Sequence, residues 1–192
     1  MTRRAQLTRF AFAPAAAAAL LLSGVVIASA QWSMQPKESQ LTFLAMQAGA
    51  EFEGKFEKFN ADIRFEPQDL ATSRFDVTID LSAVNTQDSE RDDTLKGPDL
   101  FNAKQWPNAH YVADKFTARG GNKYSATGKL TLRNVTRDVP LDFTFEKQPS
   151  GAWLKGGTTI KRLDFGVGQG EWKDTETVGN EVKVRFALLL KQ

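Results

Sequence analysis

The sequence predicts an all-β protein: an antiparallel up-and-down β-barrel of about eight strands, with a short helix in the long loop 83–107. Two observations support this prediction. Apolar and polar residues alternate with period two in almost every segment between turn signals, as expected for strands with one buried face. Most connectors between these segments are short, and short connectors join antiparallel neighbours, whereas parallel strands need long crossovers.

Residues 1–30 have the pattern of a cleavable signal peptide. Three arginines and no acidic residue lie there, the run 15–27 is mostly apolar, and the segment ends in Ala28-Ser29-Ala30. This small-x-small ending predicts export with cleavage after Ala30. A membrane anchor is the alternative, but it needs about 20 apolar residues, and the run is shorter. We therefore expect an exported chain, residues 31–192, without a stable membrane anchor.

The charge of the chain is unevenly divided. The whole sequence has 25 Lys and Arg against 23 Asp and Glu, a net charge of +2. Residues 1–30 hold three of the basic residues, so residues 31–192 carry 22 against 23, a net charge of −1. Nucleic-acid binding needs clustered Lys and Arg, so we expect no nucleic-acid partner. The absence of cysteine excludes a disulfide scaffold and a thiolate metal site.

The strands are predicted in order along residues 31–192. The clearest is the segment in which Phe75, Val77, Ile79 and Leu81 alternate with polar residues. Other regular segments lie at 61–65, 124–133, 139–145 and 182–190, and weaker ones at 39–46, 52–59, 109–116 and 152–161. Turn residues separate several of them, at 66–69, 119–122, 134–137 and 148–151.

The stretch 83–107 is too long and too polar for a hairpin connection. Its middle part, 89–96, has the pattern of a short helix that Gly97-Pro98 ends. The chain shows no internal repeat and no linker that would divide it further, so residues 31–192 are predicted to form a single domain.

The predicted inward faces are rich in phenylalanine. A barrel of about eight strands is either filled by its own side chains or holds one small ligand. Ala126 and Gly128 are small inward residues that would leave room between large aromatic side chains. An aromatic lining without charges suits an apolar guest. The pattern alone leaves both kinds of interior open.

Candidate catalytic and metal-binding residues are few. His110 is the single histidine, and we expect it on the polar face of a strand. The acidic residues of loop 90–99 lack the spacing and central glycine of a calcium loop, so we expect solvated carboxylates there. The glycines of 166–170 resemble a dinucleotide fingerprint, but no helical pattern follows them. We predict no catalytic residue, no metal site and no cofactor.

Five short motifs occur in order along residues 31–192. In the long loop, Arg91-Asp92, a leucine and the acidic-aromatic segment 99–101 precede the aromatic-proline step 106–107. The other motifs lie at 54–59, 128–136, 162–166 and 178–182. Together they closely resemble the signature of the YceI-like family. In one departure, Thr94 stands where the family usually has histidine.

The resemblance implies a lipocalin-like barrel in the bacterial periplasm that binds a lipid and is not an enzyme. The expected ligand is a long apolar molecule: a polyisoprenoid, a quinone-like molecule or a fatty acyl derivative. We predict that the ligand contacts inward residues of the strands and aromatic residues at one end of the barrel: Phe43, Phe65, Phe75, Val77, Ile79, Phe101, Trp106, Leu130, Leu132, Phe143, Phe145, Phe165, Trp172, Val184 and Phe186.

Two arginines are candidates for contact with a polar head group, Arg91 and Arg162. Each also has a structural interpretation as a brace of the fold. In that interpretation Arg91 pairs with Asp92 or Asp99, and Arg162 pairs with Asp164.

Two other functions are compatible with the sequence. One is a hydrolase-like enzyme that acts on a small lipid ester through the acidic loop 90–99. The other is a solid-cored interaction module without a ligand. A homodimer is compatible with a barrel that holds a long apolar guest, and no residue pattern requires it.

Overall fold

The computed structural model describes residues 31–192, and the predicted signal peptide, residues 1–30, lies outside the described residues. The described part contains one helix, α1 (Ser89–Lys96), and eleven strands. The strands are β1 (Gln31–Met34), β2 (Gln40–Gln47), β3 (Ala50–Phe56), β4 (Phe59–Arg64), β5 (Arg74–Asp80), β6 (Val84–Asn85), β7 (Asn108–Gly120), β8 (Lys123–Leu132), β9 (Val135–Gln148), β10 (Gly151–Lys161) and β11 (Glu181–Lys191). Short 3₁₀ turns lie at Leu70–Thr72, Leu81–Ala83, Arg162–Phe165 and Gly170–Lys173.

The strands close into an antiparallel barrel with eight positions around its wall. β1 and β2 share one position, because both pair with β11 at different heights. β3 and β4 share the next, since β3 pairs with β2 and β4 pairs with β1. β5 and β6 share the third, and β7 to β11 follow in chain order. The predicted up-and-down barrel with one short helix is confirmed.

Alternating burial follows the alternating sequence. In β9, Val139, Leu141, Phe143 and Phe145 are buried, and the residues between them are more exposed. The turn before β9 is tighter than its sequence predicts, because only Arg133 and Asn134 form it and Val135 is already in the strand. Both turn residues have positive φ, 49° and 61°, as a two-residue hairpin of the commonest type requires.

One end of the barrel is filled by aromatic side chains. Phe65 is 0% exposed, and its ring centroid lies 4.9 to 5.9 Å from those of Phe75, Phe116, Tyr124, Phe143 and Phe145. The indole Nε1 of Trp32 donates to the Phe65 carbonyl oxygen at 3.0 Å, which fixes Trp32 against Phe145. We term these residues the aromatic plug: Trp32, Phe65, Phe75, Phe116, Tyr124, Phe143 and Phe145.

Two long segments cover the opposite end. They are residues 86–107, which contain α1, and residues 162–180, and we term them the lid. The Asp99 carbonyl oxygen accepts hydrogen bonds from the backbone N–H groups of Gly168 at 2.9 Å and Gln169 at 2.8 Å, so the two segments are joined. The Arg133 guanidinium donates to the carbonyl oxygens of Pro98, at 2.8 Å, and Leu100, which ties the lid to the β8–β9 turn.

Within residues 31–192, no helix combines the length and the apolar character that crossing a membrane would take.

Candidate functional site

An apolar cavity of about 440 Å³ lies inside the barrel between the aromatic plug and the lid. Small-molecule sites in proteins commonly have volumes of about 300 to 1,000 Å³. Phe75, Leu141, Leu154 and Leu188 line the cavity on the side of the plug, and side chains of the lid line it on the other. The barrel is therefore filled at one end and hollow in its middle.

The structure places ten of the predicted contact residues on the cavity wall. They come from β2, β5, β8, β11 and the lid: Phe43, Phe75, Val77, Ile79, Phe101, Leu130, Leu132, Trp172, Val184 and Phe186. Their inward direction follows from the period-two pattern that predicted them. Contact of these residues with a ligand stays a prediction.

The other five predicted contact residues lie away from the cavity. Phe65, Phe143 and Phe145 belong to the aromatic plug, where neighbouring rings surround them. Phe165 is 2% exposed and packs in the core. Trp106 lies against Arg133, whose guanidinium carbon is 5.1 Å from the ring centre. Knowing that a residue faces inward is therefore not enough to place it at the cavity. Its position along the barrel axis decides whether it packs in the aromatic plug or lines the cavity.

Several wall residues were absent from the prediction. They include apolar side chains of β2 to β4, β7, β10 and β11: Leu41, Phe52, Phe56, Phe59, Ile63, Tyr111, Ile160 and Val182. Most lie on segments whose strand pattern is weak in the sequence, and the same alternation identifies their inward face. Polar wall residues, among them Gln47, Glu90 and Thr94, lie towards the lid and carry no such signal.

The space expected beside Gly128 is occupied. Tyr111 lies on the neighbouring strand, and its ring fills the place where a Cβ of residue 128 would stand. The Tyr111 hydroxyl donates to the Val139 carbonyl oxygen at 3.2 Å, and burial raises the pKa of this phenol. The expectation that Ala126 and Gly128 leave room for a guest is wrong at Gly128, because a side chain from the adjacent strand uses that room.

Arg162 is a buried brace of the lid. Its guanidinium donates to the carbonyl oxygens of Val167 at 2.9 Å, Val178 at 2.6 Å, Gly179 at 3.0 Å and Asp174 at 3.3 Å. Burial lowers the pKa of Arg162, and the charge of Asp174 opposes that shift. The bracing interpretation therefore applies with backbone carbonyls as partners, in place of the Asp164 carboxylate.

The glycine at position 168 leaves space for this arrangement. Gly168 has φ of 119°, in the region that favours glycine, and a Cβ there would collide with the Arg162 Nη1. Gly168 thus allows the close approach of backbone and guanidinium in the lid.

Arg91 lies on α1 at the edge of the cavity. Its guanidinium donates to Asp88 at 2.9 Å and stands 4.4 Å from the ring centre of Phe52. Pairing with Asp92 or Asp99 is not observed, because the Asp92 carboxylate instead accepts from the backbone N–H and the hydroxyl of Thr86 at 2.8 and 2.7 Å. Across the described residues, the Arg91 Nε is the buried side-chain nitrogen without a hydrogen-bond acceptor in reach.

Two acidic residues of loop 90–99, Asp92 and Asp93, are engaged in local structure. The Asp92 carboxylate accepts a hydrogen bond from the Thr86 hydroxyl, and the Asp93 carboxylate forms an ion pair with Lys96 at 2.8 Å. In residues 31–192, no three His, Cys, Asp or Glu side chains are grouped so that they could hold a metal ion.

His110 lies on the outside of the barrel, away from the cavity. Its Nε2 is 2.6 Å from the Asp76 carboxylate, and Arg74 pairs with the same carboxylate at 2.9 Å. The hydrogen bond with His110 lowers the pKa of Asp76. These groups form a surface network, as expected for a histidine on the polar face of a strand.

Comparison with known proteins identifies a family and several similar chains. The model of the YceI-like domain matches residues 32–190. The chain is similar to the crystal structure of BcnA from Burkholderia cenocepacia, with 34% identity and a TM-score of 0.79 over 82% of this chain and 99% of that chain. It is 26% identical to a UPF0312 protein of Vibrio parahaemolyticus over 67% of this chain and 72% of that protein.

A third similarity shows the fold alone. The structure of a polyisoprenoid binding domain from Saccharophagus degradans has a TM-score of 0.68 over 85% of this chain and 99% of that chain, at 15% identity.

Proposed function

Because this chain belongs to the YceI-like domain family, we propose that it is a periplasmic, non-enzymatic binding protein that carries one long-chain apolar lipid inside its barrel. The observation that supports this proposal best is the apolar cavity of about 440 Å³ between the aromatic plug and the lid. The signal-peptide pattern of residues 1–30 supports export. Polyisoprenoids, quinone-like molecules and fatty acyl derivatives are the guest classes, because their chains present nearly the same apolar surface.

The lining explains how such a chain can bind without specific polar contacts. Each CH₂ group removed from water contributes about 0.8 kcal/mol, so several buried groups give substantial affinity. Aromatic side chains such as Phe43, Phe101 and Phe186 supply large apolar contact areas along the wall. Selection among guests then depends on the length and width of the cavity and on the groups near the lid.

A polar head group would meet Arg91 more readily than Arg162. The Arg162 guanidinium already donates to four backbone carbonyl oxygens. Arg91 borders the cavity, and its guanidinium makes one hydrogen bond, from Nη2 to the Asp88 carboxylate. A phosphate or carbonyl oxygen of a guest could accept from this group, since a charged donor forms the stronger class of hydrogen bond.

A pair of substitutions on one strand tests the proposal. Val77 lines the cavity, and the next residue, Thr78, is exposed on the outer face of β5. Val77→Arg should abolish binding of a long-chain prenol, because it puts a charge into the apolar cavity. Thr78→Arg should bind as the unchanged protein does. Binding is measured by native mass spectrometry after incubation with the prenol.

Circular dichroism of both variants serves as the folding control. Equal prenol binding by two folded variants would overturn the barrel interior as the site of binding.

A further inference from the structure

The barrel wall has a gap between its first position, which β1 and β2 share, and its second position, which β3 and β4 share. Pairing of β1 with β4 includes Ser33 opposite Asp62, and pairing of β2 with β3 includes Thr42 opposite Lys55. If the register of β1 with β4 continued into β2 and β3, Thr42 would lie opposite Glu53. It lies opposite Lys55, so the register changes by two residues. Between these pairings, residues 34–41 and 56–61 face each other with no strand pairing in the described structure. We term this region the side gap.

Both edges of the side gap are held by their outer neighbours. On one edge, Gln35 N–H donates to the Leu189 carbonyl at 2.8 Å, and Leu189 N–H donates to the Ser39 hydroxyl at 3.1 Å. On the other edge, Glu57 N–H donates to the Ala83 carbonyl at 2.9 Å, and Asp80 N–H donates to the Lys58 carbonyl at 3.0 Å. These backbone groups are satisfied away from the gap, so the gap is a fixed feature of the wall.

A groove of about 640 Å³ lies on the outer side of the side gap. Leu41, Phe56 and Phe59 line both this groove and the internal cavity. Their side chains therefore form the partition between the two spaces. The pairings of β7 with β8, β8 with β9 and β10 with β11 run along most of each strand, and β10 pairs with β9 over residues 151–157.

We propose that the side gap is a second opening of the cavity, and that the groove takes the far end of an apolar chain too long for the cavity. This inference rests on the proposed function. The aromatic plug blocks the end of the barrel opposite the lid, so a chain inserted from the lid has no axial exit. Rotamer changes of Leu41, Phe56 and Phe59 would open the partition without breaking a backbone hydrogen bond. The guest's hydrocarbon end would lie against the apolar floor formed by Leu41, Phe56 and Phe59, below a rim that is mostly polar and includes Glu57 and Lys58.

A fluorescent label at the side gap tests this route. The chain contains no cysteine, so one introduced cysteine is a unique labelling position. Lys58 is exposed and lines the groove, and Lys58→Cys carries a small fluorophore there. Lys129→Cys is the matched control, because Lys129 is an exposed lysine on β8, which pairs on both sides. The probes are n-alkanols of increasing length with a terminal bromine, which quenches a fluorophore in close contact.

Long probes should remove most of the fluorescence of the label at position 58 and leave the label at position 129 unchanged. Short probes that fit inside the cavity should quench neither label. Native mass spectrometry of the same samples reports binding independently. If long probes bind stoichiometrically without quenching at position 58, the side opening is refuted and the carrier function stands. Equal quenching by short and long probes also contradicts the side opening. If no probe binds, the carrier function fails, and the side opening fails with it.

Discussion

Arg162 shows how one residue can organise the end of a barrel. Its guanidinium lies inside the lid and donates to carbonyl oxygens of Val167, Asp174, Val178 and Gly179. These acceptors belong to a segment with few regular backbone partners of its own. A single planar donor thus substitutes for the secondary structure that the segment lacks, since arginine presents five N–H donors in a fixed geometry.

Replacement of Arg162 by lysine should destabilise the protein. Lysine keeps the charge but cannot reach acceptors in several directions from one planar group, so buried carbonyl oxygens lose their donors. We expect the free energy of unfolding to fall by about 3 kcal/mol, measured by urea denaturation. Arg185→Lys is the control, because Arg185 is exposed on β11, and its effect should stay within about 0.5 kcal/mol. Equal stability of the two variants would show that Arg162 is not a brace.

At the scale of elements, the stability of α1 depends on the cap at its N-terminus more than on the packing of an apolar face. It has no buried residue. Asp88 caps its N-terminus by accepting from the backbone N–H groups of Glu90 at 3.1 Å and Arg91 at 3.0 Å. Those hydrogen bonds and the Arg91 guanidinium lower the pKa of Asp88. The cap therefore also positions Arg91 beside the cavity.

Removal of this cap should loosen α1. Asp88→Ala should lower the free energy of unfolding by about 1 kcal/mol, the usual cost of losing a capping carboxylate. Asp93→Ala on the same helix should change it by less than about 0.5 kcal/mol, because Asp93 is exposed and its carboxylate forms a surface ion pair with Lys96. Chemical denaturation of both variants measures the difference. The capping role is contradicted if Asp93→Ala costs as much as Asp88→Ala.

The strands were predictable because their alternating pattern coincides with burial, and α1 was predictable from its helical pattern and the Gly97-Pro98 stop that follows it. Phe75, Val77, Ile79 and Leu81 alternate with polar residues, and all four face the interior. The break between β3 and β4 was not predictable, since both Glu57 and Lys58 turn outward and interrupt the alternation. Their backbone partners are Asp80, the last residue of β5, and Ala83, in the 3₁₀ turn that follows it, so a long-range contact decides the local shape.

The sequence pattern predicts which residues of the candidate site face inward, but it does not predict their position along the barrel axis. Phe75 and Phe143 both point inward and both belong to the aromatic plug, yet Phe75 also lines the cavity and Phe143 does not. Their heights depend on the register of neighbouring strands, which a single sequence pattern does not specify. The partners of Arg91 and Arg162 were missed for a related reason: local carboxylates suggested ion pairs, whereas the folded lid offered an N-cap residue and backbone carbonyls.

At the scale of the whole molecule, the barrel divides into three zones along its axis: the aromatic plug, the apolar cavity and the lid. The filled zone stabilises the fold, and the hollow zone is the proposed binding space. The net charge of residues 31–192 is −1, so the outer surface gives no general attraction for polyanions. The features that point to a function therefore lie inside the barrel.

Native mass spectrometry of the protein, purified from the cells that produce it naturally, tests the carrier function most directly. We predict a stoichiometric adduct whose mass is released by organic solvent and belongs to a long-chain apolar molecule. A protein of the bare polypeptide mass, which also takes up no prenyl or acyl chain on titration, would contradict the carrier function.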